Sequence, residues 1–143
     1  MGPDDASRGD FDGAGRTVSL MLDSTFVIDL LNGVPEALAK QARMYEIGRD
    51  PLISEIVVCE VRAGLHGSGV RRFERLLEPI EFVQPGPETA LLAGVWRRQA
   101  HERGRHLSLP EALIAAAAHD SDAAVLTRNV KGFALTPVRV ETY

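Results

Sequence analysis

Short apolar runs alternate with longer amphipathic stretches along the whole chain. The apolar runs lie at residues 18–22, 52–53, 80–83, 123–126 and 138–140, and each predicts a strand, with those at 18–22 and 80–83 expected to be buried. Apolar residues at helical spacing predict helices that begin at residue 24 or 25 and at residues 35, 55, 70, 88 and 108, with Ser54 as the cap of the helix that begins at residue 55. Because strands separated by helices must cross over, this pattern predicts an α/β protein whose parallel sheet carries helices on both faces.

An acid stands directly after the first apolar run. Asp23 follows Leu22 and precedes Ser24 and Thr25. Ligands of open α/β sheets bind beyond the carboxyl ends of the strands, so Asp23 is placed to hold a cation. Aspartate is also a favoured N-cap residue, and Ser24 or Thr25 can serve as the cap instead. From this stretch alone, the ligand and the cap remain equal alternatives.

Two further acids have unusual sequence settings. Glu60 lies inside a half-apolar helix, and Glu111 opens an alanine-rich helix after Ser108. Each also has an ordinary explanation, because Glu60 fits a solvated helix position and the helix dipole stabilises a first-turn acid by about 0.3–1 kcal/mol. Carboxylates brought together repel one another unless a cation neutralises them. Together with Asp23, the two acids favour a magnesium site, since Mg²⁺ takes a few carboxylates plus water and phosphate oxygens.

Composition restricts the possible classes of protein. The chain has 143 residues, which suits one domain, and 16 basic residues against 20 acidic ones give a net charge of −4. It is therefore no polycation, and any contact with nucleic acid must be local. A single cysteine, Cys59, excludes an internal disulfide, and its apolar neighbours predict that it is buried. Phosphate-loop, dinucleotide-binding and nucleophile-elbow motifs are absent from the sequence.

The start of the sequence and the length of its apolar runs indicate the cellular compartment. Residues 1–16 are rich in Gly and Asp, which predicts a disordered leader before a domain at residues 17–143. No apolar stretch reaches the roughly 18 residues of a membrane span, so we expect no membrane contact. The acidic start is unlike a signal peptide, and the cytoplasm is the expected compartment.

Three separated blocks resemble the PIN-domain ribonucleases of the VapC toxin type. The blocks are LDSTFVIDLL (22–31), ISEIVVCEVRAGL (53–65) and LSLPEALIAAAAHDSDAAVLTRNVKGF (107–133). They occur in the order seen in that family, and the resemblance covers about residues 19–141. It implies a three-layer α/β/α PIN-like fold with a short, mainly parallel central sheet.

The resemblance also implies a catalytic site. Asp23, Glu60 and Glu111 match the family's acids that bind Mg²⁺ or Mn²⁺, and they would be both the metal ligands and the catalytic residues. The chain departs from the pattern twice, because the third acid is usually Asp and because Gly132 stands where a fourth acid is common. The residues expected to support the site are Ser24, Thr127 and Asn129.

By the same resemblance, the chain would be an endoribonuclease and the toxin of a toxin–antitoxin pair. Metal-activated water would attack the phosphodiester of RNA. A small antitoxin and a second copy of the chain are the implied protein partners, with residues 70–77 and the helix containing Trp96 as possible contact faces. The candidates for contact with the RNA backbone are Arg62, Arg128 and Lys131. The arginines at 71, 72 and 75 fit ordinary solvated surface better.

Two alternatives stay open at the level of sequence. The first is an RNA-processing nuclease of the same fold and chemistry that has no antitoxin. The second is a PIN-like module that binds RNA or protein without catalysis. Glu111 in place of Asp and the missing fourth acid favour this second alternative.

Overall fold

A five-stranded parallel sheet forms the centre of residues 9 to 143, which the computed structural model describes. The strands are β1 (Leu20–Leu22), β2 (Pro51–Ser54), β3 (Glu81–Val83), β4 (Ala124–Leu126) and β5 (Val140–Glu141), in the spatial order β3-β2-β1-β4-β5. Each neighbouring pair is parallel. The first strand is therefore central, and β2 and β4 flank it.

Seven helices within the described residues connect and cover these strands. They are α1 (Ser24–Leu31), α2 (Pro35–Glu46), α3 (Glu55–Ala63), α4 (Ser68–Leu77), α5 (Pro87–Glu102), α6 (Leu109–Asp120) and α7 (Val130–Phe133). The predicted α/β class and its parallel sheet are confirmed. Only α7 was not predicted, because a single turn is too short to show helical periodicity. None of the helices in residues 9–143 combines the length and apolarity that crossing a membrane requires.

Alanines let helix α6 pack closely between the sheet and α5. Ala115 to Ala118 are at most 1% exposed, and α6 contacts α5, β1 and β4. On the facing side, Trp96 is only 6% exposed and lies edge-on to His119, with ring centroids 5.8 Å apart. Trp96 therefore belongs to the core rather than to a contact face. The large apolar side chains that α5 exposes are Leu91 and Val95.

Two predictions of burial were wrong. The run 80–83 was expected to be buried, but Phe82 is 49% exposed, because β3 is an edge strand of the sheet. Cys59 is exposed as well. Helix α3 buries Val57 and Val61, which are four residues apart on one face. Cys59 therefore points away from the core although its sequence neighbours are apolar.

The start of the described chain is tied to the domain by an ion-pair network. Arg49 is 2% exposed; it donates to Asp10 Oδ1 at 2.8 Å, to Glu141 Oε2 at 2.6 Å and to the Val18 carbonyl at 2.7 Å. Asp10 lies within the predicted leader 1–16, of which residues 1–8 fall outside the described residues. Asp10 itself is held in place, because the buried guanidinium requires its carboxylate as a partner.

Candidate active site

The carboxyl ends of β1 and β4 bring two polar residues together. Asp23 follows β1 and is 5% exposed, and Thr127 follows the neighbouring strand β4 and is fully buried. The Thr127 hydroxyl donates to Asp23 Oδ2 at 2.6 Å, and the Thr25 hydroxyl donates to the same oxygen at 3.1 Å. One carboxylate oxygen is thus held by two hydroxyl groups, which fixes the orientation of the Asp23 side chain.

The position of Asp23 separates the two explanations that its sequence left open. Asp23 occupies the N-cap position of α1 with extended backbone, yet its side chain makes no hydrogen bond to the helix backbone. Capping therefore does not account for this buried acid. Ser54, which was predicted to cap α3, also stands at the N-cap position without making the capping bond.

Glu60 lies on α3, which packs against α1, and its carboxyl group interacts electrostatically with Asp23. The pKa of Glu60 is raised above its ordinary value, chiefly by partial burial and then by repulsion from Asp23. A neighbouring like charge disfavours the ionised form of a carboxyl group. Two of the three predicted acids are therefore close enough to repel each other.

This repulsion gives a prediction for the metal-free protein. A raised pKa means that Glu60 adds to the stability of the folded state below its ordinary pKa, and that this contribution is lost as the pH rises through the raised value. Glu60→Gln is expected to raise the urea midpoint of unfolding at pH 7, and this gain should vanish below pH about 4.

The matched control for this prediction is Glu55→Gln on the same helix. Glu55 begins α3 and accepts from Gln84 Nε2 at 2.9 Å. Because a negative charge in the first turn stabilises a helix, Glu55→Gln should lower the urea midpoint of unfolding slightly. A gain from Glu60→Gln that persisted in acid, or no gain at pH 7, would contradict repulsion from Asp23.

Glu111 is held at the start of α6 by a local motif. Ser108 is the N-cap of this helix, and its hydroxyl accepts from the Glu111 backbone N–H at 3.2 Å and donates to Glu111 Oε1. The pattern is a variant of the capping box. The other carboxylate oxygen, Oε2, lies 3.4 Å from Asn129 Nδ2.

The three predicted acids do not form a three-ligand metal site. Among residues 9–143 there is no group of three His, Cys, Asp or Glu side chains placed to hold a metal ion. Glu111 connects to Asp23 only indirectly, through Asn129, whose backbone N–H donates to Thr127 Oγ1 at 2.9 Å. Asp23 and Glu60 nevertheless fit Mg²⁺ as a donor pair, because this ion is often bound by one or two carboxylates together with water and phosphate oxygens.

The supporting residues match the prediction only in part. Thr127 contacts Asp23, and Asn129 joins Thr127 to Glu111. The second hydroxyl on Asp23 comes from Thr25 and not from the predicted Ser24. The available signal was the spacing, since a hydroxyl two residues after an aspartate is well placed for a local hydrogen bond.

A buried acid next to the site was not foreseen. Asp29 on α1 is 4% exposed, accepts from the Tyr143 hydroxyl at 2.6 Å and pairs with Arg128 at 3.0 Å. Arg128 also donates its backbone N–H to Thr25 Oγ1 at 3.2 Å. Its guanidinium therefore links the β4–α7 connection to α1. The apolar run around Asp29 was the only signal for this pairing in the sequence.

The other candidate RNA contacts differ in their surroundings. Lys131 and Arg62 are exposed, and Arg62 donates to the Leu65 carbonyl at 3.2 Å. Arg72, in the cluster assigned to ordinary surface, donates to the Leu31 carbonyl at 2.8 Å. Because that carbonyl ends α1, Arg72 has a structural role at the helix terminus.

A three-layer α/β chain with acids beyond its central strands matches a known class of domain. A sequence profile of the PIN domain matches residues 20–137. Ribonuclease VapC19 of Mycobacterium tuberculosis is 29% identical over 117 residues, which cover 82% of this chain and 94% of that protein.

Solved structures agree. A toxin–antitoxin complex from Klebsiella pneumoniae has a TM-score of 0.71 and 29% identity, and the match covers 86% of this chain and 97% of that one. VapBC2 from Rickettsia felis, bound to a DNA fragment from its promoter, has a TM-score of 0.77 at 19% identity, covering 86% and 97%. The chain belongs to the PIN-domain family, and its resemblance to the VapC type is confirmed.

Proposed function

We propose that this protein is a metal-dependent endoribonuclease and the toxin of a VapBC-type toxin–antitoxin pair. The observation that carries the proposal is Asp23, a buried carboxylate that does not cap its helix, is oriented by two hydroxyl groups and repels Glu60. The ribonuclease name of a relative that matches 82% of the chain supports the reaction.

The roles of the side chains follow from their contacts. Thr25 and Thr127 hold Asp23 Oδ2, which leaves the carboxylate aimed in one direction, and Glu60 adds a second negative charge. A bound Mg²⁺ or Mn²⁺ would neutralise these charges, acidify water and polarise the phosphate. Lys131 and Arg62 are exposed cations suited to the RNA backbone. Attack by water on phosphorus, with the bond to the 3′-oxygen breaking, would leave a 5′-phosphate and a 3′-hydroxyl.

Metal affinity without RNA is expected to be low. Asp23 and Glu60 are the two acids whose charges interact, and Mg²⁺ gives up its water reluctantly, so substrate phosphate must complete its coordination. Calorimetric titration of the RNA-free protein should give a Kd for Mg²⁺ weaker than about 1 µM. A submicromolar site would contradict this account and would point to a preformed centre that includes Glu111.

The proposed protein partners are a small antitoxin and a second copy of the chain. The similar structure from Klebsiella pneumoniae is a toxin–antitoxin complex. A basic antitoxin side chain would be attracted by Asp23 and Glu60, and it would compete there with a metal ion. Leu91, 71% exposed, and Val95, 49% exposed, give α5 an apolar surface suited to contact between two copies.

The test is cleavage of a structured RNA pool by protein that has been freed of bound antitoxin. We expect cuts with Mg²⁺ or Mn²⁺ and none with EDTA. Cuts that persist in EDTA would refute metal dependence. An adjacent small antitoxin gene, and inhibition by its product, would separate a toxin from an RNA-processing nuclease of the same fold.

A binding module without catalysis is the second candidate. The observation in its favour is that Asp23, Glu60 and Glu111 do not form a three-ligand group, since residues 9–143 contain no three His, Cys, Asp or Glu side chains placed to hold a metal ion. Folded protein that binds RNA but cuts none with either metal would support this candidate.

A further inference from the structure

Gly132 is a glycine for reasons of space and not of backbone conformation. It lies in α7, and it is not among the described glycines with positive φ. An ordinary side chain could therefore adopt its backbone angles. A Cβ atom at this position, however, would overlap Glu111 Oε2 outright and would lie 2.7 Å from Glu111 Cδ and 2.5 Å from Asn129 Nδ2.

The space beside Gly132 is thus filled by the carboxylate of Glu111. Aspartate at position 111 would be shorter by one methylene, roughly 1.5 Å, and its carboxylate would leave that space. The longer side chain of Glu111 thus complements the absence of a side chain at Gly132. The space beside Gly132 holds one carboxyl group, which can come either from a glutamate at position 111 or from an acid at position 132.

We propose that residues 111 and 132 form one coupled position, in which Gly132 is a positioning residue for the Glu111 carboxylate. Gly132 admits the carboxylate to Asn129, whose Oδ1 accepts from the Gly132 N–H at 3.3 Å and whose backbone N–H reaches Thr127. Through Thr127 this position is connected to Asp23. The steric coupling does not depend on the proposed function, whereas its effect on metal binding rests on that function.

The coupling predicts that two harmful substitutions repair each other. Gly132→Asp alone places a second carboxylate against the first, which adds steric overlap and like-charge repulsion. Glu111→Asp alone withdraws the carboxylate from Asn129. In the double variant the aspartate at 132 takes the vacated space, so both defects are relieved.

The experiment compares the wild type, both single variants and the double variant by urea unfolding, Mn²⁺ affinity and RNA cleavage. Gly94→Asp is the matched control, because Gly94 also lies in a helix, its φ is not positive, and a Cβ atom added there would meet no atom within 4 Å. We expect Gly132→Asp to lower the urea midpoint more than Gly94→Asp, and Glu111→Asp to restore it. Each single variant should lose Mn²⁺ affinity by about tenfold or more, and the double variant should regain most of that loss.

The outcomes separate this inference from the proposed function. If the wild type binds Mn²⁺ and cuts RNA but the effects of the two substitutions simply add, the coupling is refuted and the nuclease stands. If neither the wild type nor any variant binds Mn²⁺ or cuts RNA, the proposed nuclease function is refuted. The urea midpoints alone then decide whether the two positions are coupled. A loss of urea midpoint on Gly132→Asp that is equally large in the wild type and in the Glu111→Asp background would overturn it.

Discussion

Asp23→Asn should reduce RNA cleavage by about 10²–10³-fold, the loss typical when one group that stabilises charge in a transition state is removed. The substitution keeps the shape of the side chain, and its amide oxygen can still accept hydrogen bonds from Thr25 and Thr127. It removes the negative charge that would hold the cation. The fold should therefore persist while activity falls, which initial rates in Mg²⁺ and urea unfolding together will show.

The control for this variant is Asp122→Asn. Asp122 carries the same charge, its side chain is 99% exposed, and its φ of 51° is one that asparagine also tolerates. The control should cut RNA as the wild type does. Equal activity of Asp23→Asn and the wild type would remove Asp23 from the catalytic machinery.

Arg49→Ala should be the most destabilising of the substitutions considered. The Arg49 side chain is 1% exposed, and its ion-pair partners Asp10 and Glu141 are 4% and 17% exposed. Removing one partner of a buried ion pair costs about 3–5 kcal/mol, because the remaining charges stay buried without compensation. Urea unfolding at pH 7 measures this loss in free energy.

The matched control is Arg98→Ala, which breaks an exposed pair with Glu102 on α5. Those side chains are 72% and 59% exposed, and such pairs contribute about 0–1 kcal/mol. If Arg49→Ala cost no more than Arg98→Ala, the network would not hold Asp10 to the domain.

The same network has a pH dependence. Burial alone would raise the pKa of Glu141, but the hydrogen bond and charge of Arg49, together with Lys40, outweigh burial and hold that pKa below its ordinary value. The contribution of Glu141 to stability is therefore present above its ordinary pKa and is lost as the pH falls through the lowered value. In Arg49→Ala this acid-side loss should be smaller.

The pattern of the sequence was sufficient for the fold and for the position of Asp23. Apolar runs and helical spacing are local properties, and the end of a central strand is a fixed place in a parallel sheet. The expectation that Thr127 supports the site came from the family resemblance, and the structure brings it to Asp23 because β1 and β4 are neighbours. Sequence spacing could not show that Thr25 rather than Ser24 contacts the acid, because this depends on the rotation of the first turn of α1.

The remaining errors arose where three-dimensional packing decides. Cys59 and Phe82 have apolar neighbours in sequence, but one lies on the outer face of α3 and the other on an edge strand. Arg49 and Asp10 are 39 residues apart, so no local sequence pattern predicts their contact. Likewise, the fit of Glu111 against Gly132 joins two segments whose meeting the sequence does not reveal.

The most direct test of the central claim is the chemistry of the RNA ends that the wild-type protein produces in Mg²⁺. If Asp23 and Glu60 hold a metal ion beside the scissile phosphate, water attacks phosphorus and the 2′-hydroxyl takes no part. The account predicts a 5′-phosphate and a 3′-hydroxyl at each cut, and no cuts by Asp23→Asn. A 2′,3′-cyclic phosphate would mean that the 2′-hydroxyl attacked, and the proposed mechanism would be wrong.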